Sequence, residues 1–305
     1  MAKGKIHRFF RALMWLIVLL LCGCLWQLLS HGTPPTATEL ADKPHRLTVL
    51  TWNTNSMSRF QKPEKNEVLR YLMQQDADII CLQEVTVYKS NAYLTLPEVK
   101  ELLHRKYRYS YLDFSVYNRY RQFGTMVWSK YPLIHKQSIH YATKGNLSNR
   151  CDVVVGTDTF RLINNHLESY MFVPEDLQDV EQQRNYDGLR TSAKKLETKW
   201  KRALPLRHEQ ARMVRDEVKA SPYPVIVVGD FNSTPLSYTY LTISRGLNDA
   251  WAQTSWGRWG TTCIKRGIGL HIDYILSSPS VVPVTCDIKK TTGSDHRPVV
   301  ATLAW

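Results

Sequence analysis

Apolar and polar positions alternate through RLTVLTWN, and the β-rich composition of this run predicts a strand ending at Asn53. A helical spacing follows, with Val68, Leu69 and Leu72 on one face. The run ADIICLQE is then apolar almost throughout, which predicts a strand buried on both faces and ending at Glu84. TMVWS at 125–129 predicts another strand. CDVVVGTDTFRLINNHLES predicts a hairpin turning at Gly156, Thr157 and Asp158, whose second arm delivers His166. Leu189, Ala193, Leu196, Trp200 and Ala203 recur at helical spacing among Arg190, Lys194, Lys195, Lys199, Lys201 and Arg202, the pattern of a basic amphipathic helix. A second helix, HEQARMVRDEVK, leads through Pro222 and Pro224 into PVIVVGDFNSTP, where an apolar strand stops at a loop carrying Asp230 and Asn232. HIDYILSS, VTCDIKK and RPVVATLAW complete the pattern as strands, with GSDH between the last two. Strands outnumber helices, and hairpins mix with helical crossovers, which predicts an α/β fold of two packed sheets flanked by helices.

After the first forty-odd residues there is no linker, low-complexity tract or repeat, so one domain over 46–305 is expected. Ahead of it, residues 12–29 (ALMWLIVLLLCGCLWQLL) carry no charge and are long enough to cross a thin bilayer as a helix. Lys3, Lys5, Arg8 and Arg11 make residues 1–11 a basic tail, which by the positive-inside rule keeps the N-terminus in the cytoplasm. Residues 30–45, with Pro34, Pro35 and Pro44, then form a polar spacer, and the domain lies on the extracytoplasmic side. A bacterial lipoprotein signal with Cys24 as the lipidated residue is the rival reading, and it too tethers the domain outside the cytoplasm; a cleaved signal peptide lacks its A-x-A-like site.

The net charge of +13 suits an anionic substrate or surface. Six cysteines include no C-x-x-C pair, which argues against zinc. Cys81, inside DIICLQE, is expected to be a buried small hydrophobe, while Cys151, Cys263 and Cys286 leave room for one disulfide.

Polar residues collect at strand ends: Asn53, Glu84, His166, Asp230 with Asn232, Asp273, and Asp295 with His296. Each alone is an ordinary cap or loop residue, but a set of this size set against apolar strands, where an unpaired charge is costly, points to a site. Glu84 and Asp295 offer hard carboxylate oxygens of the kind Mg²⁺ prefers, with Asn53 as a neutral neighbour. Asp230 is placed to accept a proton from an attacking water or to orient it, and Asn232 to donate to a phosphate. Asp273 is expected to pair with His296 and stabilise its protonated form, with His166 on the opposite side of the phosphate.

In this order, TWNTN, LQEV, NNHLES, VVGDFNSTP, HIDYIL and GSDHRPV resemble the endonuclease/exonuclease/phosphatase superfamily over essentially the whole domain, and FGTMVWSKYPL resembles its central-strand segment. The resemblance implies a four-layered α/β sandwich with the site at one edge of two packed sheets. It also implies a Mg²⁺ or Mn²⁺ ion bound mainly by Glu84, and roles for Asn53, His166, Asp230, Asn232, Asp273, Asp295 and His296 close to those above. Asn55 stands where some members carry an Asp that assists the metal.

The superfamily cleaves nucleic acids, phospholipids and inositol phosphates alike, so the shared residues do not select a substrate. The basic charge and the stretch between His166 and Glu209 favour a nuclease-like phosphodiesterase, acting as a monomer. A phospholipid or inositol-phosphate phosphoesterase at the membrane is the second reading, and a silent tethered binding module the third. Trp251, Trp256 and Trp259 are open to stacking on bases, to a lipid interface or to core packing.

Overall fold

The computed structural model describes residues 34–58, 62–169, 186–255, 260–262 and 269–305. Among them no helix is long and apolar enough to cross a membrane; the expected anchor at 12–29 and its basic tail lie outside the described residues. The spacer holds a short helix, α1 (Ala37–Ala41), started by a Thr36–Glu39 capping box.

Twelve strands among the described residues form two six-stranded sheets. The first sheet has the order β11 (Val282–Ile288), β12 (Val299–Ala304), β1 (Arg46–Asn53), β2 (Ile79–Tyr88), β4 (Arg121–Ser129), β3 (Tyr109–Tyr117). The second has the order β5 (Leu133–His140), β6 (Leu147–Val155), β7 (Asp158–His166), β8 (Val225–Asp230), β10 (Asp273–Ser277), β9 (Asn248–Asp249). Both sheets are mixed: β1 and β2 run parallel, as do β7 and β8, and every other pairing is antiparallel.

The period-two pattern divides each strand between two cores. Val49, Ile79, Cys81 and Val127 of the first sheet meet Cys151, Leu162, Ile226 and Val228 of the second in the central layer. Their neighbours Leu50, Ile80, Leu82 and Trp128 face outward onto α2 (Glu67–Gln74), through Val68, Leu69 and Leu72, and α3 (Leu96–His104), through Val99 and Leu103. Ile163, Val225 and Val227 face outward onto α4 (Tyr186–Lys219), through Ala211 and Val214, and α5 (Tyr238–Ser244), through Ile243. Two doubly covered sheets are therefore a four-layered α/β sandwich, as the sequence pattern and the resemblance both imply.

Four local expectations are corrected. β2 continues past Glu84, because VTVY keeps the β-branched alternation; the ladder slips between Leu82 and Val85, and Glu84 itself takes φ 50°. The two helices expected before β8 are one, α4, which carries Pro205 inside it. Its N-terminal half does not bury the expected stripe: Ala193 is exposed and Trp200 is 50% exposed. Trp251 is buried against His271, whereas Trp256 and Trp259 lie outside the described residues. Cys81, Cys151 and Cys286 are free and buried, so the anticipated disulfide does not form between Cys151 and Cys286.

Gly229 fixes the strand edge that ends at Asp230. It has φ 120°, and a Cβ there would lie 2.1 Å from the Asn165 carbonyl oxygen on the adjoining β7 backbone. Neither strand can move without breaking the ladder that aligns Asp230. Gly229→Ala is expected to cost about 3 kcal/mol or more. That corresponds to a thermal midpoint lower by roughly 6–12 °C, measurable by calorimetry.

Candidate active site

Strand register assembles the site from both sheets. In the second sheet His166 pairs with Asp230 and Asp230 with Asp273, so three adjacent strands present these side chains in a row. In the first, Asn53 ends β1 beside Gln83, and the bulge turns Glu84 toward the same edge. The β11–β12 loop brings Ser294, Asp295 and His296.

Hydrogen bonds join the two halves. The Asn53 amide Nδ2 donates to Glu84 Oε1 at 3.0 Å and to Asp230 Oδ2 at 2.9 Å, bridging the sheets. Below it, Gln83 Nε2 donates to Asn164 Oδ1 at 2.7 Å, a second buried bridge between sheets. His166 Nε2 lies 3.3 Å from Glu84 Oε1. His296 Nδ1 lies 2.9 Å from Asp273 Oδ2, while its Nε2 stands 3.9 Å from Asp230 Oδ2. That last separation exceeds a hydrogen bond, so one small group can contact both atoms.

The loop is anchored from beneath. Ser294 Oγ donates to the Asn53 carbonyl at 2.8 Å and accepts from the His296 N–H, and Trp52 Nε1 donates to the His296 carbonyl at 3.0 Å. Asn232, with φ 49°, holds Asp230: its N–H donates to Asp230 Oδ1 at 2.8 Å, and its amide Nδ2 donates to Asp230 Oδ2 and to the Leu167 carbonyl. Its amide hydrogens are thus engaged with Asp230 and Leu167 in this structure, where Asn232 holds Asp230 in place. Fully buried Arg207, on α4, clamps the same loop by donating to the Asn232 and Glu168 carbonyls.

Burial and charge set the protonation states. Burial pushes the Asp230 carboxyl up, and the charge of Asp273 adds to this, to about 6. Burial opposes a charged His296, but Asp273 and Asp230 outweigh it and hold the imidazole protonated well above the usual range. Burial also opposes an ionised Glu84, yet the His166 hydrogen bond and charge, with Asn53, bring it down to about 2. His166 is raised in turn, burial being overcome by its hydrogen bond to Glu84 and the charge there.

Two donor sets can take a cation. Asp230, Asp273 and His296 have ligand atoms within 4.8 Å of one another, but Asp273 and the protonated His296 already satisfy each other, and a cation there must displace a proton. Glu84 fits a hard cation better, being ionised with its side chain 29% exposed at the mouth of the site. Asp295, expected beside Glu84, is exposed, with its Oδ1 3.4 Å from Ser294 Oγ. Asn55, φ 41°, gives its N–H to Asn53 Oδ1 and starts a left-handed turn through Ser56 and Met57.

Of the eight residues expected in the site, seven converge and Asp295 stands at its rim. Sequence reasoning passed over Gln83, Asn164, Ser294 and Arg207. The first three lay inside the quoted motifs LQEV, NNHLES and GSDHRPV, whereas Arg207 gave no signal, since a helical arginine reads as solvated.

Carboxylates and imidazoles gathered at one edge of a two-sheet sandwich define a hydrolase of phosphoesterase or nuclease type. The chain belongs to the endonuclease/exonuclease/phosphatase family, whose sequence profile matches residues 50–296. No curated protein matches it. Among solved structures, an endonuclease/exonuclease/phosphatase from Beutenbergia cavernae DSM 12333 superposes with a TM-score of 0.62 at 18% identity, covering 85% of this chain and 71% of that one. Truncated Caenorhabditis elegans TDP2 gives 0.58 at 18% identity, covering 86% of this chain and 99% of that one. The human nocturnin catalytic domain, solved with a bound sulfate anion, gives 0.57 at 16%, covering 85% and 94%. These likenesses establish the fold.

Proposed function

We propose that the chain is a Mg²⁺- or Mn²⁺-dependent phosphodiesterase of nuclease type, held at a membrane by residues 12–29 with its catalytic domain on the extracytoplasmic side. The observation that carries the reaction is the arrangement of Asp230 and the Asp273–His296 pair, facing each other across 3.9 Å beside Glu84. The uncharged segment behind four basic residues supports the tether, and the net charge of +13 supports a polyanionic substrate.

Glu84, with Asn53 beside it and Asp295 at the rim, would hold the cation, which when bound would supply charge neutralisation at a phosphoryl oxygen. Asp230, ionised at neutral pH but raised toward it, orients the attacking water and accepts its proton. His296, kept protonated by Asp273, donates from Nε2 to a non-bridging oxygen, and His166 supports the charge from the Glu84 side.

The purified chain is tested with and without chelator on plasmid DNA, single-stranded RNA and phospholipid vesicles. Cation-dependent cleavage of nucleic acid is expected. Phosphate or headgroup release from vesicles with intact nucleic acid would replace this reading with a phospholipid phosphoesterase, and silence on every substrate with a binding module.

Asp273→Asn tests the acid. In the wild-type protein, activity rises as Asp230 ionises near pH 6 and falls only when His296, held protonated above the usual imidazole range, loses its proton. Without the Asp273 charge the imidazolium is less favoured, so the alkaline limb of the pH–rate profile should move down toward neutrality. Turnover at pH 8 should fall about 100-fold.

A further inference from the structure

Beyond Glu84 the same strand leads to a second feature. β2 runs four more residues to Tyr88, about 13 Å along the strand, where it pairs with Arg121 at the base of the β3–β4 turn. Between this turn and residues 88–98 lies a cleft of about 640 Å³ lined by Tyr88, Lys89, Asn91, Tyr117 and Gln122 among others. It is a built feature. The Lys89 N–H donates to the Tyr120 carbonyl, and Asn118 Oδ1 accepts from the Tyr120 and Arg121 N–H groups, which fixes the turn.

Two tyrosines at this turn are unusually bare: Tyr117 is 67% and Tyr120 61% exposed. Each carries a cation over its ring, Lys89 Nζ 4.4 Å from the Tyr117 centroid and the Arg119 guanidinium 4.5 Å from that of Tyr120. Lys62 and Lys89 line the cleft, with Arg119 and Arg121 on the adjoining turn, against Glu98 as the acid that lines it, and Glu98 is paired with Lys62 at 2.7 Å. β4 also reaches toward the site, since Phe123, next to Gln122 on that strand, has its ring 6.4 Å from that of His166.

We infer that this cleft binds the unpaired bases of single-stranded nucleic acid and feeds the strand to the catalytic edge, an inference that rests on the nuclease-type reading above. Exposed rings offer stacking faces that every base can use, the cations follow the phosphates, and the Asn91 and Gln122 amides reach base edges within the cleft. A membrane surface would also tolerate tyrosines and cations. It calls for a convex apolar projection, however, whereas here Tyr117 lines a concavity with the Asn91 and Gln122 amides in its wall, and Tyr120 stands on the adjoining turn.

The test uses the full chain in detergent and a fluorescein-labelled oligothymidylate in EDTA, read by anisotropy with strand integrity checked on a gel. Turnover of bis(4-nitrophenyl) phosphate with Mn²⁺ is measured in parallel. Tyr117→Ala/Tyr120→Ala should weaken oligonucleotide binding about 10- to 100-fold and leave turnover of the small diester unchanged. Tyr117→Phe/Tyr120→Phe, which keeps the stacking faces, should bind like wild type. Wild-type turnover without oligonucleotide binding, equal binding by the alanine pair, or equal loss in the phenylalanine pair would overturn the inference while leaving the catalytic reading intact. Absence of small-diester turnover would instead count against the catalytic reading. If the alanine pair lowers association with phosphatidylserine vesicles and not with oligonucleotide, the cleft faces lipid and the inference fails.

Discussion

Asp230→Asn should lower kcat/KM for phosphodiester hydrolysis about 100- to 10,000-fold, the range spanned by a lost general base, while the folded protein survives. Both results follow from where the carboxylate sits. It is buried, next to Asp273 on the neighbouring strand, and raised from 3.8 to about 6. A carboxyl whose folded value exceeds its unfolded one contributes nothing unfavourable below about pH 4, and destabilises progressively as pH rises through 6. At pH 7.5, without added cation, the wild-type protein therefore holds this charge against the fold, and asparagine removes the penalty. The thermal midpoint of Asp230→Asn should be equal to or above that of wild type at pH 7.5. A fall of more than about 8 °C, beyond what about 1–2 kcal/mol produces in a domain of this size, would show that the carboxylate stabilises the site and does not have the chemistry assigned to it.

Glu84→Gln should have an effect of similar size with the opposite stability signature. Loss of the anionic ligand should reduce turnover by about 1,000-fold, several kcal/mol of charge stabilisation. The wild-type thermal midpoint should rise with added Mn²⁺ by linkage, and that of the variant should not. The Glu84 carboxyl is lowered from 4.5 to about 2, so its contribution is present above pH 4.5 and is lost as pH falls toward 2. Its partner His166 is raised, so the imidazolium contributes below pH 6.5 and is lost as pH rises through its folded value. The variant should therefore be less stable than wild type by about 2 kcal/mol near pH 5, and the two should converge at pH 2. Calorimetry across that range decides it; parallel curves would mean that Glu84 and His166 do not form the ion pair.

Both predictions depend on contacts between sheets that are far apart in the chain. Asn53 meets Asp230 across 177 residues, and Gln83 meets Asn164 across 81. Gly229 and Arg207 act within the second half of the fold, one by letting β7 and β8 approach and the other by clamping the loop after Asp230. These supporting residues touch the reactive ones rather than any substrate, which is why a search for reactive side chains passes over them.

Much was legible in the chain itself. Doubly buried strands show as continuous apolar runs because both faces of each sheet are covered, and β1 ends at Asn53 as the alternation requires. Seven of the expected site residues converge because each lies in or beside an apolar strand, and parallel or register-matched strands bring these positions to one edge. The tertiary structure decided the rest. Glu84 faces the site through a bulge whose left-handed backbone no residue pattern specified. Asn232 turned inward and Asp295 outward, since a loop side chain is aimed by its neighbours and not by periodicity. The paired helices became one because Pro205 removes a single hydrogen bond from α4, a loss the packing of Ala203, Arg207, Ala211 and Val214 overrides. Sequence fixes which groups are costly to bury without partners; only the meeting of two sheets determines which partners they find.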